Sequence, residues 1–129
     1  MREVVIVDGV RSPIGRGSKD KGYYKDIRAD DLAVLCVRRL IERNPKLNPA
    51  EIEDVVWGCA NQSGEQSFNI GRMIPLLAGL PVEVAGTTLD RQCGSGLQAI
   101  NFAAQAIMTG AGEVAIAGGV EHMTHIPMG

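Results

Sequence analysis

Aromatic side chains are scarce, at 4% of 129 residues. A surface that stacks on bases or grips a partner through aromatic anchors is therefore not encoded. Positive charge is not in excess either. Thirteen Lys and Arg against fifteen Asp and Glu leave a formal charge of −2, without the footprint that nucleic acid or an anionic membrane demands. The three cysteines, Cys36, Cys59 and Cys93, are odd in number and widely spaced. They make no disulfide framework, and the lack of any Cys-x-x-Cys excludes a zinc ribbon or a thioredoxin-type site. No apolar run reaches the ~20 residues of a membrane span. Met1-Arg2-Glu3-Val4 leads straight into an apolar run, with neither the positive region nor the cleavage site of a secretory signal. A reducing, cytoplasmic location is expected.

What the chain does have is glycine, 16 residues of it, and a 45% hydrophobic content, enough for the core of one ordinary domain. No repeat, low-complexity tract or linker divides residues 1–129. Val4-Val5-Ile6-Val7, closed by Asp8-Gly9, predicts a buried strand. Residues 11–28 lack periodicity and read as a loop. Asp30 or Asp31 is expected to cap a helix that carries Leu32, Leu35, Cys36 and Leu40 on its buried face and ends before Pro45. Asn48-Pro49-Ala50-Glu51 has the cap, the proline and the glutamate of a short helix start.

Val55-Val56-Trp57 predicts a second strand, followed by a polar loop over 60–67 and an apolar helix from Ile70 to Leu77. Val84 to Leu89 reads as a third strand. A strong helix from Cys93 to Met108 carries Leu97, Ile100, Ala104 and Ile107 on one stripe and small alanines elsewhere. Val114 to Gly119 predicts a fourth strand. Strands alternating with helices imply a layered α/β domain, with a mainly parallel sheet and helices on both faces. The sequence stops soon after its last glycine pair without a closing element, which suggests part of something longer.

Chemistry concentrates at Asp90-Arg91-Gln92-Cys93-Gly94-Ser95-Gly96-Leu97. A strand ends just before it and a helix starts within it. A thiol at a helix N-terminus meets unpaired backbone N–H groups and a positive dipole end, which favour the nucleophilic thiolate. Glycines behind it let an acyl group approach the backbone, and they are poor helix formers otherwise. Cys36 in mid-helix and Cys59 at a strand end read as small buried hydrophobes. Other motifs fail. Asp20 stands where a dinucleotide fingerprint needs its third glycine, no Gly-Lys-Ser/Thr or Gly-x-Ser-x-Gly occurs, and Gly96-Leu97 breaks the papain-type pattern begun by Cys93-Gly94-Ser95. His122 and His125 lack carboxylate or thiol partners at ligand spacing and read as surface or pocket-lining residues, so no metal is expected.

These residues resemble the N-terminal domain of the thiolases, acyl-CoA:acetyl-CoA acyltransferases. The likeness runs through Val10-Arg11-Ser12-Pro13-Ile14-Gly15-Arg16, Asp54-Val55-Val56-Trp57-Gly58-Cys59 and Ala78-Gly79-Leu80-Pro81. It is most specific at Cys93-Gly94-Ser95-Gly96-Leu97-Gln98-Ala99-Ile100 taken together with Gly118-Gly119-Val120-Glu121-His122-Met123. The resemblance implies a layered thiolase-like half-domain over 1–129 and reversible thiolysis of 3-ketoacyl-CoA in the fatty-acid-degrading manner. It makes Cys93 the catalytic nucleophile that carries the acyl group and Met123 a substrate-binding residue. Coenzyme A enters as co-substrate and no bound cofactor is implied.

The resemblance also implies a homodimer or tetramer joined through strand Val84–Leu89. The family's Gly-His-Pro, Cys-x-Gly and Asn-Glu-Ala-Phe segments do not occur here, so these residues alone are expected to form a slow, acylatable thiol. Pro75 departs from the family's helical pattern and should kink or split its helix. Two alternatives stay open. One is a biosynthetic acetoacetyl-CoA thiolase, the other an assembly or lipid-carrier module that keeps the fold without turnover.

Overall fold

The alternation of β-branched runs with amphipathic ones builds a three-layer unit. The structure, a computed structural model, describes residues 1–128. In chain order come helix α1 (Ala29–Arg43), strand β1 (Asp54–Gly58), helix α2 (Ile70–Ala78), strand β2 (Ala85–Leu89), helix α3 (Ser95–Met108) and strand β3 (Ala115–Gly119). Short 3₁₀ turns at Pro49–Glu51 and Gly64–Gln66 lie in the connections. The sheet is parallel in the order β2-β1-β3, with Asp54 level with both Ala85 and Ala115.

The central strand is buried on both faces, as expected for a parallel sheet covered by helices. Val55 and Trp57 point into the larger core, with Ala33, Val34 and Val37 of α1, Ile70 and Ile74 of α2, Val84 and Ile116. Val56 points the other way, against Ala99 and Ala103 of α3, flanked by Leu89, Ala115 and Ala117. Helices α1 and α2 therefore cover one face and α3 the other. This is the expected layered α/β arrangement.

Four details depart from the sequence reading. Val4–Val7 forms no strand; Ile6 is 82% exposed. Such a run gains from being a strand only when a sheet edge completes its ladder, and among the described residues none does. The segment is tied down at its ends instead. Arg2 N–H donates to the Met108 carbonyl, and Asp8 accepts from Asn44 Nδ2 at 3.0 Å and pairs with Arg43 at 2.9 Å. The bonds from Asn44 and the Gly9 N–H, with the Arg43 charge, hold the Asp8 carboxyl below its usual range.

Second, α1 is preceded by Arg28 rather than capped by Asp30 or Asp31, and Glu65 Oε1 accepts the Ala29 N–H at 2.8 Å. Asp30 is buried inside the first turn and ion-paired to Arg28 at 2.9 Å. Its buried stripe runs through Ala29, Ala33, Val34 and Val37, leaving Leu35 exposed.

Third, the face of α3 that meets the sheet is its small one, Ser95, Ala99 and Ala103, while Leu97 is 66% exposed and Ile100 41%. Small side chains let the helix lie close on β1 and β3, so the bulky stripe of equal periodicity turns outward. Fourth, Pro75 does not split α2, which runs unbroken to Ala78 with Gly79 as its left-handed C-cap at φ 81°. Proline removes the donor to the Gly71 carbonyl one turn back and crowds that carbonyl, yet the helix continues through it for three more residues.

Candidate active site

Parallel strands deliver their following loops to one edge. After β1 comes the Cys59–Gln66 loop, after β2 the turn carrying Cys93, and after β3 the segment with Glu121, His122 and Met123. The chain leaves β1 for a helix on one face and β2 for a helix on the other. In open α/β sheets ligands bind where adjacent strands send their connections to opposite faces, at the carboxyl ends. Cys93 lies at that place.

The Cys93 turn is tightly made. Cys93 is exposed and stands two residues before α3, whose N-cap is Gly94. Helix α3 thus starts later than the predicted Cys93, leaving the thiol just outside its first turn. Gln92 adopts φ 48°, the left-handed region uncommon for a residue with a Cβ. Gly94 N–H donates to the Arg91 carbonyl at 3.0 Å and Ser95 N–H to the Gln92 carbonyl at 3.1 Å. The Ser95 hydroxyl donates to the Gln92 carbonyl at 2.6 Å and accepts from the Arg91 N–H at 2.8 Å. No side chain caps α3, so its amino end is left open beside the thiol.

The other two cysteines sit differently. Cys36 is half-buried in α1. Cys59 is buried beside the Gln66 amide, at 3.4 Å, and desolvation, then the Glu121 carboxylate, pushes its thiol up to about 11. A thiol so placed stays protonated and inert at neutral pH.

The loops after β1 and β3 are joined by a polar network that the sequence did not reveal. Glu121 accepts the N–H groups of Ala60 at 2.9 Å and Asn61 at 3.1 Å, and Gln66 Nε2 at 3.0 Å. Gln66, fully buried, accepts the His122 N–H at 2.7 Å. Gln66 lies in a stretch whose composition announces only a loop, and its partners are about 55 positions away in sequence. Met123 follows this network, 45% exposed, with its Cβ against Gly17.

The histidines acquire a partner the sequence reading denied them. Glu65 lies 2.8 Å from His125 Nδ1, and the two imidazoles stack at 4.0 Å with planes 11° apart. Glu65, His122 and His125 bring possible ligand atoms within 4.8 Å of one another. An ion must lie in the plane of each imidazole it accepts, and parallel rings stacked face to face cannot share one such point. The rings instead bind backbone: His122 Nε2 lies 2.9 Å from the carbonyls of Tyr24 and Ile27, and His125 Nε2 2.6 Å from that of Lys25. This trio clamps the loop before α1 to the segment after β3.

Comparison with known proteins agrees with this architecture. Residues 4–129 match the family model described as "Thiolase, N-terminal domain". The chain is 53% identical over 127 residues to a 3-ketoacyl-CoA thiolase of Marinobacter nauticus, covering 98% of this chain and 32% of that protein. It is 54% identical over 127 residues to a 3-oxoadipyl-CoA/3-oxo-5,6-dehydrosuberyl-CoA thiolase of Escherichia coli, covering 98% of this chain and 31% of the relative. The crystal structure of the Bacillus anthracis acetyl-CoA acetyltransferase superposes with a TM-score of 0.84 at 40% identity, over 93% of this chain and 29% of that one. The chain thus spans about a third of the length of these relatives. Among the described residues, no helix is long and apolar enough to cross a membrane. On the family match and the shared fold, the chain belongs to the thiolase family, of which it carries N-terminal domain sequence.

Proposed function

We propose that the chain supplies the nucleophilic half of a thiolase active site acting on 3-ketoacyl-CoA, with Cys93 as the residue that carries the acyl group. The supporting observation is the exposed thiol of Cys93, on a tightly bonded turn at the open amino end of α3, at the carboxyl edge of a parallel sheet. In the proposed reaction the Cys93 thiolate attacks the keto carbon. The carbon–carbon bond breaks, its electron pair stays with the departing acetyl-CoA carbon, and that carbon takes a proton. The acyl group remains on sulfur as a thioester until the thiol of coenzyme A displaces it. Developing negative charge on the thioester oxygen calls for preorganised N–H donors, which a helix N-terminus provides.

Met123 is the proposed substrate contact, a half-exposed side chain in the segment that follows β3. The relatives named 3-ketoacyl-CoA thiolase and 3-oxoadipyl-CoA/3-oxo-5,6-dehydrosuberyl-CoA thiolase, at 53% and 54% identity, support this substrate class.

A double-displacement route predicts exchange of isotope-labelled coenzyme A into acetyl-CoA without any third reactant. The exchange should be slower than that of a full-length thiolase by roughly 10²–10⁴, the contribution of a general acid/base, and absent from Cys93→Ser. Exchange of equal rate in Cys93→Ser would overturn the assignment.

A further inference from the structure

We propose that Ser95 and Asp90 are positioning residues, whose side chains lock the Arg91–Ser95 turn and so fix the direction of the Cys93 thiol; this rests on the reading of Cys93 as the acyl-accepting nucleophile.

The residue that aims Cys93 is its predecessor. Gln92 holds φ 48°, a conformation a side chain disfavours and surrounding bonds must impose. Both of its backbone polar groups are held by neighbouring side chains. Its N–H donates to Asp90 Oδ1 at 2.7 Å, and its carbonyl accepts the Ser95 hydroxyl at 2.6 Å. The same hydroxyl takes the Arg91 N–H at 2.8 Å, so one oxygen ties both residues ahead of Cys93 to the start of α3.

A serine near a helix start ordinarily caps it, accepting from an N–H further along. Ser95 instead reaches backwards, four residues towards β2, and leaves α3 without a side-chain cap. Its side chain is buried, and its proton and an acceptor lone pair are both committed to the turn. It is therefore placed to hold Cys93 in position rather than to exchange protons with substrate. Asp90 is exposed and works from the outside of the same turn.

The test is the rate of Cys93 alkylation by iodoacetamide in the folded 129-residue chain, read by peptide mass spectrometry at one neutral pH. Ser95→Ala should slow it by about two- to fivefold, the range over which a helix terminus influences an adjoining exposed charge. Ser95→Thr, which keeps the hydroxyl, should stay within about twofold of the parent. Asp90→Ala and Asp90→Asn both lose the charge, but only alanine loses the acceptor for Gln92. Alanine should be the slower of the two.

Labelling of buried Cys59 reports folding in every sample. Should Ser95→Ala unfold, the rate in Ser95→Thr decides for Ser95, a slowing of more than about twofold overturning its role, and the Asp90 pair, altered at an exposed site, decides for Asp90. Equal rates in Ser95→Ala and the parent, equal slowing in Ser95→Thr and Ser95→Ala, or equal rates in the two Asp90 variants, with Cys59 protected, would overturn the assignment for that side chain. A parent chain in which Cys93 reacts no faster than Cys36 would instead refute the nucleophile reading itself.

Discussion

Gly58 and Ser95 touch backbone to backbone: a Cβ added to Gly58 would stand 2.5 Å from the Ser95 carbonyl oxygen. The end of the central strand is thereby the seat of the helix that presents Cys93. Gly58→Ala should push the first turn of α3 off the sheet, because the atom it meets is backbone and cannot rotate away. Overpacking of this kind costs about 1–3 kcal/mol. Thermal unfolding should show a Tm lower by several degrees; an unchanged Tm would mean that this contact is slack.

The three thiols should differ in reactivity in the order Cys93, Cys36, Cys59. Exposure favours Cys93, and burial with a pKa of about 11 disfavours Cys59. Competitive alkylation of the folded chain followed by peptide mapping measures the order. Faster reaction at Cys36 or Cys59 would contradict it.

His125 should titrate above its ordinary value of 6.5, chiefly because its ring N–H bonds the Lys25 carbonyl and then because of Glu65. A raised folded-state pKa gives stability that is fully present below 6.5 and is lost as pH rises through the folded value. Neutral imidazole keeps one N–H, so one of the two bonds weakens. The Tm should fall over that window more in the parent than in His125→Gln, and an NMR titration should place the midpoint above 6.5. A midpoint at or below it would refute the clamp.

Strand β2 is an edge among the described residues, and self-association through it is expected at tens of micromolar, roughly where such edges associate. Ala85 and Leu89 bond inward to β1, so Gly86 and Thr88 face outward. Side chains already hold part of that edge. Asn69 Nδ2 donates to the Gly86 carbonyl at 2.9 Å, and Arg72 donates to the carbonyls of Val82 and Val84. Pairing is thus left to the Thr88 end. Sedimentation velocity showing only monomer at that concentration would contradict the proposal.

The alternation of apolar runs made β1, β2, β3 and the three helices legible, and Asn48 does cap its turn, accepting from Ala50 N–H at 3.1 Å. Periodicity gave less on which face is buried. In α3 two stripes share one period, and only the closeness of the sheet selects Ala99 and Ala103 over Leu97 and Ile100. Val4–Val7 carries a strand's composition, yet a strand also requires a neighbour, which composition cannot supply. The place of Cys93, on the turn between a strand and a helix, was legible because thiol, glycines and helix start are adjacent in sequence. Gln66, Glu65 and their partners after β3 were not, since long-range hydrogen bonds leave no local pattern.

The central claim is that Cys93 accepts the acyl group, and the site of acylation tests it most directly. After incubation with acetoacetyl-CoA and rapid acid quenching, peptide mass spectrometry should find a hydroxylamine-labile acetyl group on the peptide containing Cys93, and none in Cys93→Ser. An acetyl group on Cys36 or Cys59, or equal acylation of the Cys93→Ser chain, would contradict the account.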